Sequence, residues 1–383
     1  MICSGIDAFT GESIAIEFDR TIQSVRTVEP LRDAPCIAPG FIDLQVNGFA
    51  GVDFNNPGAS LEDISRAIDA ILHTGVTRFL PTVITGAPDH MLACLQNLRR
   101  AQTTLPHGHA IAGFHVEGPH ISPEDGPRGA HPRQWVRPPD LAEFARWQDA
   151  TEGNIRLVTL SPHWPESIEY IRTLSAQGVT VSLGHTIGKG DSIRFASNIG
   201  ATMSTHLGNA APSPLPKLEN LLLDQLANDD LSASFIADRI HLTDEFFRVA
   251  VRAKGIERTV LVTDAAAPAG ATPGRYHLGE LEIDLTPDDR IFLAGTSRLA
   301  GSALRMDVAI KNLMLVAGVS RADALRTATL NPGRIIHLEG RTKGLAPGDR
   351  ADLVVFGPDL AIQNVYLDGT PTFFPVRAST LKR

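Results

Sequence analysis

The sequence predicts an α/β fold, a (β/α)8 barrel, with the two ends of the chain contributing a small β domain. Three observations carry that expectation. The central region alternates short apolar runs with helix-length amphipathic segments, the rhythm of parallel β/α units. Glu117, His185, His206 and Asp264 each stand just beyond the last apolar residue of a different strand candidate. In a barrel the carboxyl ends of the strands converge on one mouth, whereas an open sheet would spread most of these residues apart. Finally, β-type stretches flank the alternating region on both sides.

Taken in order, the opening segment holds Ser13-Ile14-Ala15-Ile16-Glu17-Phe18, in which polar residues interrupt apolar ones as in a half-buried strand. The far end reads similarly. Ala351 to Phe356 and Asn364 to Leu367 are apolar runs bounded by glycine and proline turns. Residues 1–37 and 343–383 are therefore expected to pair into one small domain, leaving 38–342 for the barrel. Ser60 opens the first helix, with Asp63 at capping-box spacing. Leu61, Ile64, Ile68, Ile71 and Leu72 follow at helical intervals, and Gly75 stops the run. Strands are expected at Thr77–Ile84, Ala110–Val116, Ile155–Leu160, Val179–Leu183, Ala201–Thr205, Ser232–Ile236 and Thr259–Val262. Helices are expected between them, for example over Asp140–Trp147, Glu166–Gln177 and Asp244–Lys254.

Composition narrows the function. The chain has 383 residues, 43% hydrophobic and 20% charged, enough apolar side chain for a large core. The formal net charge is -8 and no basic run occurs, so nucleic acid is not an expected partner. An anionic substrate would need a local positive cluster, because the overall field repels it. The three cysteines, Cys3, Cys36 and Cys94, are scattered, which suggests neither a disulfide framework nor a cysteine-rich metal site. Asp7, Glu12, Glu17 and Asp19 oppose reading the start as a signal peptide. No apolar run reaches the ~18 residues of a membrane span, and a reducing cytoplasmic location is expected.

One carboxylate and two imidazoles, Glu117, His185 and His206, suit Zn²⁺ or a similar divalent ion. Three protein ligands leave a position open for water, the catalytic arrangement. The separate carboxylate of Asp264 could take a proton from that water and return it to a leaving nitrogen. Singly, a histidine at a strand end is more often structural, and Asp264 could be a helix N-cap. Packing needs do not explain all four at the ends of different strands of one barrel.

The segments Ala38 to Gly48, His115 to His120, Gly184-His185, Thr205-His206-Leu207-Gly208-Asn209-Ala210, Ala237-Asp238 to His241, Leu261 to Gly270, Leu299-Ala300-Gly301-Ser302 and Gly344 to Leu353 resemble the N-acetylglucosamine-6-phosphate deacetylase family of the amidohydrolase superfamily. The resemblance covers nearly the whole chain. It implies a TIM-type barrel with a small β-sandwich built from both termini. It implies metal ligands Glu117, His185 and His206, one divalent ion with Zn²⁺ the expected one, and Asp264 as acid and base. His131, in Gly129-Ala130-His131-Pro132, matches the histidine that helps polarise the amide carbonyl. Ala130, Asn209, Ala210, His241 and Leu299, Ala300 and Gly301 match substrate-contacting positions, and the family implies a homodimer.

Two departures stand out. Many amidohydrolases carry His-x-His after the first strand, supplying a second metal; here Gln45-Val46-Asn47 stands there, so one ion is expected. Family members present an arginine after the second metal histidine that reaches the phosphate of the neighbouring subunit's ligand. Lys217 takes that place, a point charge without the bidentate fork. Deacetylation of an unphosphorylated or epimeric N-acetyl hexosamine, or of an N-acyl amino acid, therefore stays open, as does a non-catalytic scaffold that has kept the barrel.

Overall fold

The computed structural model describes residues 1–341 and 343–372. Residues 373–383 of the expected terminal segment, and residue 342, lie outside the described residues. Eight parallel strands form one sheet: Phe41–Val46, Val76–Ile84, Phe114–Glu117, Ile155–Leu160, Thr180–Leu183, Ala201–Ser204, Ser232–Ile236 and Thr259–Val262. The first and last meet, closing the barrel. The Asp264 amide donates to the Gln45 carbonyl (2.9 Å), the Asn47 amide donates to the Ala265 carbonyl (2.7 Å), and Val46 bridges Ala265 in parallel. Nearly all strand residues are buried, because helices cover the outside and side chains fill the interior. Pro81 lies within the second strand and cannot donate to a ladder; the register against the first strand slips on the approach to its partner Val46.

The helices start where capping chemistry places them. The Ser60 hydroxyl accepts from the Asp63 amide (3.0 Å) and donates to its carboxylate (2.7 Å), opening Leu61–Leu72. Asp140 caps Leu141–Ala150, and Thr243 caps Asp244–Lys254. Their apolar stripes pack on the barrel in one continuous core. One expected strand is shortened. Residues 108–110 make a 3₁₀ turn, with the Ile111 amide held by the Gly108 carbonyl, so the regular strand begins only at Phe114.

The two ends of the chain meet in a second sheet. Its strand order is Thr370–Pro371, Ile362–Leu367, Leu353–Phe356, Cys36–Pro39, Ile2–Asp7, Ser13–Phe18, Ile22–Thr27. The Phe18 and Tyr366 rings meet edge to face at 5.2 Å, although three strands separate theirs in the order. A flat sheet would hold them roughly 19 Å apart at about 4.8 Å per strand. The sheet therefore curls over itself and encloses its own core of Ile14, Ile16, Phe18, Ile22, Leu353 and Val355. Gly40 leads from this sheet into the barrel. A Cβ there would lie 2.1 Å from the Thr77 hydroxyl, so no larger residue fits. Arg78, buried in the second barrel strand, joins the two bodies through Asp352 (2.8 Å) and Asp368 (2.6 Å).

A three-stranded antiparallel sheet, Gly274–Leu278, Leu281–Leu285 and Ile291–Leu293, was not expected from the sequence. It follows the eighth barrel strand, and its Leu278, Ile283, Leu285 and Ile291 pack against Ile84, Ala266 and Ala300 near the barrel mouth. Among the described residues no helix is long and apolar enough to cross a membrane.

Candidate active site

Glu117 ends the third barrel strand, and His185, His206 and Asp264 each stand two residues past the end of the fifth, sixth and eighth. The chain turns sharply at these points. His185 (φ 49°), His206 (φ 30°) and Asp264 (φ 51°) all lie in the left-handed region, which costs on the order of 1–3 kcal/mol per residue. Hydrogen bonds from neighbouring segments hold the turns: the Ser234 hydroxyl accepts from the His206 amide (2.8 Å), the Ser122 amide donates to the His185 carbonyl (2.9 Å), and the Ser302 amide donates to the Asp264 carbonyl (2.9 Å). Strain at these positions aims the side chains inward, across the mouth.

Glu117 Oε1 lies 3.2 Å from His185 Nε2 and 3.0 Å from His206 Nε2, and the two nitrogens are 3.1 Å apart. Ligands on a tetrahedron with bonds of about 2.0–2.1 Å stand about 3.3 Å apart, so these three atoms are spaced to share one cation. The proton pattern agrees. His185 donates Nδ1–H to the Pro127 carbonyl (3.0 Å), which turns the lone pair of Nε2 towards the other two ligands. All three residues are buried. Burial alone would raise the Glu117 pKa, but hydrogen bonds and charge from His185 and His206 hold it well below the usual carboxylate range. The same residues, one carboxylate and two imidazoles, fit a single divalent ion.

Asp264 is held beside this triangle by amides. Gln45 Nε2 donates to both Glu117 Oε1 and Asp264 Oδ1 (3.0 Å each), and Asn47 Nδ2 donates to the same Asp264 oxygen (2.7 Å). Asp264 Oδ2 has no hydrogen bond among the described residues and is the oxygen free to exchange a proton. Burial and the neighbouring Glu117 push the carboxyl up to about 6. Sequence reasoning took Gln45 and Asn47 only as poor metal ligands; their bracing of Asp264 emerges only when the first and eighth strands are adjacent. Asp43 lies behind them, accepting from the Thr263 hydroxyl (2.5 Å).

His131 is buried with its ring 4.4 Å from that of His185 and Nε2 4.0 Å from Glu117 Oε2. Its Nδ1 meets the Thr85 hydroxyl at 2.8 Å; if threonine donates there, Nε2 keeps the proton and faces the site. Burial, then the neighbouring His185, depress it to about 3, leaving a neutral imidazole that is a hydrogen-bond donor. Gly129 supports this arrangement. It has φ 60°, and a Cβ there would sit 3.1 Å from His185 Cε1, so the backbone passes close over the ligand ring.

A cavity of about 380 Å³ opens onto these groups, and Ala130, Asn209, Ala210, His241, Leu299, Ala300 and Gly301 all line it. His241 is turned by Asp238, whose carboxylate accepts from Nδ1 at 2.6 Å. The sequence pointed to His241 only through the family resemblance; its pairing with Asp238 is seen in the structure. Lys217 is exposed on the loop that follows His206 and does not line the cavity of the single chain. Arg128 donates to the His131 carbonyl (2.6 Å) and pairs with Asp125, which accounts for it structurally. None of the three tryptophans lines the cavity; Trp135 instead donates to Glu280 (3.0 Å), tying the three-stranded sheet to the loop that carries His131. Arg298 and Ser297 do line it, and sequence reasoning missed both.

Comparison with known proteins gives a consistent result. The profile described as the amidohydrolase family matches residues 36–372. The N-acetylglucosamine-6-phosphate deacetylase of Mus musculus is 37% identical over 87% of this chain and 82% of its own length. The N-acetylgalactosamine-6-phosphate deacetylase of Escherichia coli O157:H7 is 30% identical over 90% and 91%. The crystal structure of the Mycobacterium smegmatis N-acetyl-D-glucosamine-6-phosphate deacetylase D267A mutant, in complex with N-acetyl-D-glucosamine-6-phosphate, superposes with a TM-score of 0.86. Identity to it is 30%, covering 94% of this chain and 95% of that one.

Proposed function

Since the chain belongs to the amidohydrolase family, and within it to the N-acetylglucosamine-6-phosphate deacetylases, we propose that it hydrolyses N-acetylglucosamine 6-phosphate to glucosamine 6-phosphate and acetate. It is a metal-dependent amino-sugar deacetylase. The observation that carries the reading is the meeting of Glu117, His185 and His206 with Asp264 beside them, at the floor of a cavity lined by the residues expected to bind the sugar.

Glu117, His185 and His206 would hold one divalent ion, which we take to be Zn²⁺. Such an ion supplies Lewis acidity and lowers the pKa of water towards neutrality. Asp264 accepts a proton from the attacking water at Oδ2 and then delivers it to the amide nitrogen, so that the C–N bond breaks and amine and acetate leave. Gln45 and Asn47 fix its other oxygen, which keeps Oδ2 aimed at the reaction. His131 donates to the carbonyl oxygen as charge gathers there. His241, held by Asp238, together with Asn209, Ala210 and the Leu299-Ala300-Gly301 backbone, orients the sugar. We also take the chain to act as a homodimer in the reducing cytosol; light scattering in solution checks the first point.

The test is acetate release from N-acetylglucosamine with and without a 6-phosphate, and from the corresponding galactosamine pair. The reading expects the phosphorylated glucosamine derivative to give the highest kcat/KM. The Escherichia coli relative favours a second reading, in which the C4 epimer is preferred; the same assay separates the two. Equal or better turnover of the bare sugars would overturn the phosphate assignment.

A further inference from the structure

Given a phosphorylated substrate, as proposed above, a cation must meet its phosphate, and we infer that in this chain it is Arg298 of the same subunit. Among the described residues lining the cavity, Arg298 is the only arginine or lysine. Lys217 does not line the cavity of its own chain, so any contact it makes with phosphate comes from the partner of the proposed homodimer, and Arg128 is committed to Asp125 and the His131 carbonyl. The other ionised groups at the floor, Glu117 and Asp264, are carboxylates, and the whole chain carries a formal charge of -8. With the divalent ion proposed at the floor offsetting those carboxylates, Arg298 is the one arginine or lysine among the described lining residues that is left to meet a dianion at the mouth.

Arg298 is also placed to act. Its backbone is fixed by the strand beside it: the Leu293 amide donates to the Arg298 carbonyl (2.8 Å), the Arg298 amide donates to the Thr296 hydroxyl (3.1 Å), and Phe292 bridges Leu299. Its Nη1 donates to the Gly129 carbonyl (2.9 Å), in the same strap that crosses the His185 ring. That single bond anchors the guanidinium at the mouth. A guanidinium has five N–H donors, and among the described residues Arg298 has no carboxylate partner to neutralise it. The remaining donors form a fork suited to phosphate oxygens, which lysine lacks. Arg298 thus becomes a specificity-determining residue: it selects the phosphorylated sugar and holds it while the floor of the cavity does the chemistry.

The experiment compares steady-state kinetics of wild type, Arg298→Ala, Arg298→Lys and Lys217→Ala on N-acetylglucosamine 6-phosphate and on N-acetylglucosamine. Because Arg298 is exposed, its replacement should leave the fold intact. For Arg298→Ala, KM for the phosphorylated sugar should rise on the order of 10- to 100-fold, with kcat little changed and the bare sugar unaffected. Arg298→Lys should fall between, and Lys217→Ala should behave as wild type. The inference is overturned if Arg298→Ala keeps the wild-type preference for phosphate, if it slows both sugars equally, or if Lys217→Ala alone abolishes the preference. Should the wild type itself show no preference, the substrate reading fails first and takes this one with it; a preference that survives in Arg298→Ala removes this one alone.

Discussion

At the residue scale, the proposed chemistry depends on one carboxylate being kept out of the metal triangle yet held against it. Two amide donors on Asp264 Oδ1 do this, leaving Oδ2 for the proton. Asp264→Asn is isosteric but cannot take a proton, so kcat should fall about 10²- to 10⁴-fold while the bound metal, read by elemental analysis, stays at the wild-type level. Wild-type turnover in the Asp264→Asn variant would remove Asp264 from the mechanism. A different aspartate contributes to the pH dependence of stability. Burial raises Asp53 to about 7, although its carboxylate accepts from the Asn55 and Gly279 amides. A raised folded pKa means the native state binds the proton more tightly than the unfolded chain. Its contribution is therefore full below the unfolded value of 3.8 and is lost as pH climbs through about 7. The fall in Tm between pH 5 and pH 8 should be smaller in Asp53→Asn than in wild type; identical falls would refute the assignment.

At the scale of elements, the site depends on how strands are joined to what surrounds them. Arg78, in the second barrel strand, is buried against Asp352 and Asp368 of the terminal sheet. Replacing it with methionine leaves Asp352 buried with Arg341 at 3.4 Å as its ion-pair partner and the Asp368 amide donating to it at 2.9 Å. A loss of about 3–5 kcal/mol, seen as a lower urea midpoint, is expected, since one partner of a buried ion pair is left behind. Gly40→Ala tests the neighbouring joint. Its Cβ would overlap the Thr77 side chain, and overpacking of this kind costs about 1–3 kcal/mol. An unchanged midpoint would show that the two bodies can shift apart there. The helix capped by Ser60 was legible in advance because its signal is local: Ser60 and Asp63 are three residues apart. The three-stranded sheet was not, since its apolar residues alternate weakly and its purpose is to cover a mouth made by other strands.

At the scale of the whole molecule, the proposed cation would tie together the ends of the third, fifth and sixth barrel strands, where Glu117, His185 and His206 meet. Binding that favours the folded state stabilises it, by about 2.7 kcal/mol at a hundred times Kd. Chelation should therefore abolish acetate release and lower Tm together, and added Zn²⁺ should restore both. Full activity in metal-stripped protein would end the metal mechanism. Much of the barrel could be read from the chain, because parallel strands buried on both faces are short continuous apolar runs such as Thr259-Val260-Leu261-Val262. The ligand residues could be read for a related reason: each follows such a run directly.

By itself, then, the sequence determined the strand-and-helix rhythm, the Ser60 helix cap, and the residue types Glu117, His185, His206 and Asp264 at strand ends, all of which follow from neighbours a few positions away. Tertiary structure alone decided what those residues touch. The 3.0–3.2 Å triangle, the amides of Gln45 and Asn47 on Asp264, Thr85 behind His131, and Arg298 reaching over Gly129 each join segments far apart in order. Closure of the barrel brings the first strand beside the eighth, and a curled sheet brings Phe18 to Tyr366. Such contacts are fixed by packing and hydrogen-bond satisfaction over the whole chain, and no local pattern encodes them.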